Sequence, residues 1–195
     1  MERKPSLEST ITARDRILSA AILRFSRQSY DTTGLREIAA DASVDVAYVH
    51  RCFGSKRQLF AEAVNKVMQA DRVFDEPPDN LADTLTRRVF ERDSTKIADD
   101  VGPLDIMVRS LSCPEAIGVL HDAILKDFVE PLSESFGAPA MRRAALIAAF
   151  LAGISIFRNV IGIEVLRETE GGELEAMVGG TLRTMMSKSV PARRK

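Results

Sequence analysis

The sequence predicts an all-α protein, and three observations carry that expectation. Apolar residues recur at i, i+3, i+4 and i+7 along nearly the whole chain, while strict alternation is sustained nowhere. Tryptophan is absent, tyrosine occurs twice, and alanine, leucine and arginine are frequent. Proline and glycine fall between the periodic stretches, as they do between helices.

The first helix is expected over 12–28, where Leu18, Ala21, Ile22 and Phe25 form one apolar stripe after a polar arm over 1–10. Ser29, Tyr30, Asp31 and Thr32 break it. A second, over 35–42, repeats the spacing with Leu35, Ile38, Ala39 and Ala42, and Thr33 is placed to cap it. Ser43, Val44 and Asp45 make a tight turn; Asp45 then caps a very short third helix over 46–52, which Gly54 ends. Ser55 and Gln58 form an S-x-x-Q capping box for a fourth helix reaching residue 74. Pro77 and Pro78 interrupt the chain. Helices are then expected over 81–92, 104–111, 115–136, 141–167 and 173–187, with Pro131 kinking or shortening the third of these. The tail SVPARRK is basic and expected to be disordered.

Helix, three-residue turn and short helix together form the signature of a helix-turn-helix, in which one helix stands out far enough to enter the DNA major groove. Unrolled at about 100° per residue, the third helix turns Val46, Val49, Cys52 and Phe53 toward a core. Ala47 and Arg51 point away, with Tyr48 and His50 beside them. Arg51 can reach a phosphate or a guanine, Tyr48 and His50 can donate to phosphates or pack on base edges, and Ala47 allows close approach to a thymine methyl. Lys56 lies in the first turn of the next helix, where free N–H groups favour a phosphate.

Other classes fit poorly. Formal charge is −1, so contact with nucleic acid must come from a local patch. The two cysteines, Cys52 and Cys113, lie far apart and form no framework, which fits a reduced, cytoplasmic protein. MERKPSLEST has no apolar signal region. The apolar run over 144–157 is shorter than the roughly 20 residues of a membrane span, so a helix buried at a protein interface is expected. With two histidines, no nucleophile–base spacing, no phosphate loop and no zinc cluster, the sequence predicts no enzyme, no metal and no cofactor.

The stretch ARDRILSAAILRFSRQSYDTTGLREIAADASVDVAYVHRCFGSKRQLF, residues 13–60, resembles the DNA-binding domain of the TetR family of transcriptional regulators. Ile17, Leu18, Ala20, Ala21, Phe25, Tyr30, Thr33, Ile38, Ala39, Ala42, Val44, Phe53, Ser55, Lys56 and Leu59 carry the match. The resemblance implies a homodimeric, ligand-responsive repressor that binds a pseudo-palindromic operator in double-stranded DNA. It also implies a head over 1–60 and a ligand-binding, dimer-forming helical domain over 61–195. Thr33, Arg36, Val46, Ala47, Tyr48, His50 and Lys56 are the DNA-facing positions it suggests, and the helical unrolling adds Arg51. The sequence departs from the family where Ser29 and Ser43 replace glycine, Asp45 replaces serine and His50 replaces tyrosine. These departures motivate a second reading, a small-molecule-binding or scaffolding bundle with a decayed DNA head.

Two further expectations concern the rest of the chain. The last two long helices carry small residues, Ala148, Ala149, Ala152, Gly153, Gly179 and Gly180, that suit close approach of a second copy in a four-helix bundle. A small, apolar effector is expected among Met107, Leu111, Leu120, His121, Leu125 and Phe150, with His121 partly buried.

Overall fold

The computed structural model describes residues 11–70, 74, 80–91, 101–136, 140–167 and 172–187, and among them no β-strand occurs. The N-terminal arm, the joint holding Pro77 and Pro78, and the basic tail lie outside the described residues. Among the described residues ten α-helices follow one another: α1 Ala13–Arg27, α2 Leu35–Asp41, α3 Val46–Phe53, α4 Lys56–Ala70, α5 Leu81–Glu91, α6 Pro103–Ser110, α7 Pro114–Ile124, α8 Glu130–Ser135, α9 Met141–Ser155 and α10 Glu173–Met186.

Local chemistry accounts for the helix ends. Thr12 and Asp15 form a reciprocal capping box on α1, each side chain accepting the other's backbone N–H at 3.1 Å. The Thr12 hydroxyl, which donates to the Asp15 carboxylate, holds that carboxyl below its ordinary range. Pro103 and Pro114 occupy first turns, where a missing N–H costs nothing.

Thr33 does not cap α2. Its hydroxyl points back to the Ser29 carbonyl at 3.0 Å and its side chain is wholly buried. Gly34 stands at the cap instead, its N–H donating to the Glu37 carboxylate at 3.0 Å. The other end of α2 closes in a Schellman turn: Val44 N–H donates to Ala39 and Ser43 N–H to Ala40, each at 3.0 Å. Ser43 there has φ 54°, in the left-handed region that favours glycine.

The helices expected over 115–136 and 141–167 each contain a π-helical turn, at Leu125–Val129 and Ile156–Ile161. The first lies just before Pro131, and the wider ring relieves the clash between a proline and the preceding turn, so the rod continues to Ser135. The second ends at Gly162, φ 78°, where the N–H groups of Gly162 and Ile163 both donate to the Phe157 carbonyl. The helix therefore stops short of residue 167, and a short 3₁₀ turn, Glu164–Leu166, follows. The helix that holds the apolar run over 144–157 extends over Met141–Ile161, 21 residues, and is by length and composition alone apolar enough to cross a membrane, a test that the core helix of a soluble protein also passes. Its buried positions Ala144, Ile147, Leu151, Ser155 and Arg158 lie along one stripe facing the interior.

The buried apolar side chains form two clusters. One joins α1–α4 to α6 and α7, from Ile17 and Phe25 through Leu59 and Val67 to Ile106, Ala116 and Leu120. The other joins α5, α8, α9 and α10 through Leu85, Phe90, Leu132, Ile147, Leu151 and Leu182. Helix α4 crosses residue 60 unbroken, and its Ala63, Val64 and Val67 continue the interior of the head.

Because Ser43 holds a left-handed conformation, Ser43→Gly removes a backbone penalty of about 1–2 kcal/mol and restores chain entropy worth about 0.5–1 kcal/mol to the unfolded state. A net gain of roughly 0.5–1 kcal/mol is expected, read as a rise of a few degrees in the thermal midpoint. A lower midpoint would count against this account of the turn.

Candidate nucleic-acid interface

Residues 1–60 carry ten Lys and Arg against seven Asp and Glu, although the whole chain is at −1. The head therefore carries a net positive charge within a nearly neutral chain. Within it, α3 is started by Asp45, whose carboxylate accepts Ala47 N–H at 2.7 Å. Val49 and Phe53 are buried, Val46, Tyr48 and Cys52 are half-buried, and Ala47, His50 and Arg51 are exposed. The short helix thus presents the outward face its periodicity predicts.

Three side-chain placements give that face its chemistry. The Arg51 guanidinium stacks on the Tyr48 ring, 4.8 Å from its centroid, one turn along the same helix. His50 Nδ1 lies 2.9 Å from the Gly54 carbonyl. Lys56 Nζ lies 4.4 Å from the centre of the Tyr30 ring and 3.4 Å from the Asp31 carbonyl, leaving a half-exposed ammonium at the start of α4. Arg36, exposed on α2, lines a groove of about 590 Å³ together with Leu35, Glu37, Val46 and His50. Of the DNA-facing candidates, Thr33 alone is inside, so its hydroxyl is a structural group and not a surface donor.

Tyr30 is the positioning residue that periodicity did not reveal. It is buried between Phe25 and Phe60, at 6.1 and 5.0 Å. Burial pushes its phenol well above the usual range, and a hydrogen bond with Glu115, at the start of α7, pushes it further. One face of its ring carries Lys56. The link is aromatic stacking across long sequence separation, which leaves no local pattern.

The six residues expected to line an effector pocket do not come together. Met107 and Leu120 pack in the first cluster, while Leu125 and Phe150 pack against the second. Leu111 and His121 are exposed, His121 Nδ1 meeting only its neighbour Asp122 at 3.1 Å. Successive residues on a helix point about 100° apart, so Leu120 and His121 cannot face one cavity from α7. A recess of about 450 Å³ lies elsewhere, between the 3₁₀ turn and α10, lined by Glu164, Val165, Arg167, Glu173, Leu174 and Met177.

A capped turn, a short protruding helix with a basic outer face and a helical body behind it define a helix-turn-helix DNA-binding protein. Two family models match the chain: "Bacterial regulatory proteins, tetR family" over residues 17–63, and "Tetracyclin repressor-like, C-terminal domain" over residues 79–186. The chain belongs to the TetR family, and it is a ligand-responsive, DNA-binding transcriptional regulator. It is similar to the nicotine-responsive transcriptional repressor HdnoR of Paenarthrobacter nicotinovorans, 27% identical over 150 residues that cover 72% of this chain and 76% of that protein. Among solved structures it shares its fold with the multidrug-binding protein EbrR complexed with ethidium, at TM-score 0.66 and 18% identity over 89% of this chain and 98% of that one. It likewise shares its fold with Salmonella enterica GusR, at TM-score 0.64 and 20% identity over 93% and 97%.

If Arg51 reads a base, Arg51→Ala weakens binding to a matched operator by roughly 1–3 kcal/mol and to a scrambled duplex by less. Lys56→Ala weakens both about equally and lowers the salt dependence by about one unit per head. Matched and scrambled duplexes titrated with each variant separate the two roles. Identical behaviour of the two variants would make Arg51 a phosphate clamp.

Proposed function

We propose that this regulator is a cytoplasmic repressor that binds a pseudo-palindromic operator as a homodimer and changes its hold on DNA when a small, apolar effector enters its helical body. The outward face of α3 carries the DNA half of this reading. The head carries the stacked Tyr48–Arg51 pair on α3, Lys56 at the start of α4 and Arg36 exposed on α2, groups suited to meet the backbone and bases of a duplex. A two-fold dimer presents two such heads, and each requires its own half-site.

The unpaired face of α9 supports the dimer. Opposite the buried stripe that runs through α9 and the π-helical turn after it, Leu146 is 61% and Ile161 58% exposed, with Phe157 and Val160 also open to solvent. The small residues divide between the two faces. Ala149 is exposed, and added side chains at Gly153 and Gly180 would meet nothing; Ala148 and Gly179 face inward, Gly179 against the Thr86 hydroxyl. Apolar side chains beside open small residues are what close helix–helix contact between two copies needs.

We place the effector beside the second cluster. Leu125, Phe128 and Phe150 border it, Phe74 meets Phe128 edge to face at 5.4 Å, and both π-helical turns adjoin it. A relative named for its response to nicotine and a structural neighbour complexed with ethidium support a small organic effector.

Ala149→Glu sets a charge in the proposed seam without disturbing the chain's own interior. The wild type is expected to sediment as a dimer at micromolar concentration, and the variant as a folded monomer with much weaker operator binding. A monomeric wild type would overturn the dimer. Compounds that raise the melting temperature of the wild type are expected to alter operator binding; a broad apolar library that never shifts the melting temperature would overturn the apolar effector.

A further inference from the structure

We propose that His50 is a phosphate contact that engages DNA only as the imidazolium, so that each head takes up a proton when it binds. The inference rests on the reading of α3 as the DNA-facing helix and assigns one residue within it. A carbonyl oxygen only accepts, so the 2.9 Å contact between His50 Nδ1 and the Gly54 carbonyl places the ring's hydrogen on Nδ1. The neutral ring then offers solvent a lone pair at Nε2 and no donor. Phosphate oxygens also only accept, and they receive half to two-thirds of protein–DNA hydrogen bonds. Protonation at Nε2 supplies the missing donor and leaves the Gly54 bond intact.

Position favours a phosphate over a base. In a reading helix the N-terminal residues meet base edges, and here those are Val46 and Ala47. His50 lies in the second half of α3, between the groove shared with Arg36 and the turn that leads to Lys56. Arg36 and Glu37 on α2 line the same groove as His50, and its own helix carries Arg51 and is capped by Asp45. Glu37 is engaged by Gly34 N–H and lies 3.8 Å from Arg24, while Asp45 is engaged by Ala47 N–H. Neither carboxylate is therefore given over to the ring as a standing counter-ion, and a DNA phosphate can fill that role. Imidazole is the side chain whose ordinary charge change falls between pH 5 and 8. The chain's other histidine, His121, lies exposed on α7 and serves as an internal control.

The test uses the full-length protein and a duplex that it selects from a random DNA library at neutral pH. At fixed salt, affinity is expected to rise roughly tenfold per head between about pH 8 and pH 6, with a salt slope steeper by about 0.9 per head at the lower pH. His121→Gln keeps this dependence and His50→Gln loses it. Calorimetry of the wild type in two buffers of different ionisation enthalpy reads the proton uptake directly, about one per head near pH 7, without relying on a variant. A flat wild-type profile, or a dependence that survives in His50→Gln, overturns the assignment. Affinity that falls with acid also overturns it, because the neutral ring would then be accepting from a base. A library that yields no bound duplex overturns the DNA-facing reading of α3 together with it.

Discussion

The packing of Phe25, Tyr30 and Phe60 is the interaction from which the rest of the structure is arranged. The Phe60 ring sets its edge against both others, 4.8 Å from Phe25 and 5.0 Å from Tyr30. One ring comes from α1, one from the turn before α2, and one from α4, so this contact alone joins three segments of the head. Aromatic pairs of this kind contribute about 0.5–1.5 kcal/mol each beyond the area they bury. Lys56 lies one helical turn before Phe60, and its ammonium rests on the third ring. The position of a surface cation is thus set from the interior.

The same cluster runs on into α6 and α7, through Ile106, Ala116, Val119 and Leu120. Close-packed interiors transmit displacement and do not absorb it. Glu115 adds a polar tie at the first turn of α7, reaching the Tyr30 phenol. By contrast, the stacking of Arg51 on Tyr48 is exposed and contributes on the order of 0.5–1 kcal/mol. That is enough to favour one rotamer and too little to hold the guanidinium away from DNA.

Burial alone does not explain the body. Helix α9 has one stripe packed against α5 and α10 and another made of large apolar side chains in solvent. The second copy proposed above would remove that apolar face from water. The interior stripe also holds Arg158, buried beneath the Phe90 ring at 4.3 Å and donating to the Leu166 carbonyl. That contact ties the 3₁₀ turn after Gly162 back onto the helix.

The head was legible from the chain because its determinants are local. A stripe at helical spacing, Asp45 before a short apolar run and Gly54 after it each act within one or two turns, and the structure keeps them. What sequence left open depended on partners distant along the chain or on backbone hydrogen bonding. Thr33 was read as a cap, but its hydroxyl turns to Ser29, a choice made by the packing that buries it. The expected effector residues shared an apolar pattern, yet α7 divides them between two interiors and the solvent, because periodicity gives a face without naming its neighbour. By itself, then, the sequence determined an all-α chain with a reading helix at a known place, through short-range capping and periodicity. Only the tertiary structure decided which side chains that helix holds ready, what seats Lys56, and which face of α9 is left open, because those follow from contacts between residues far apart in sequence.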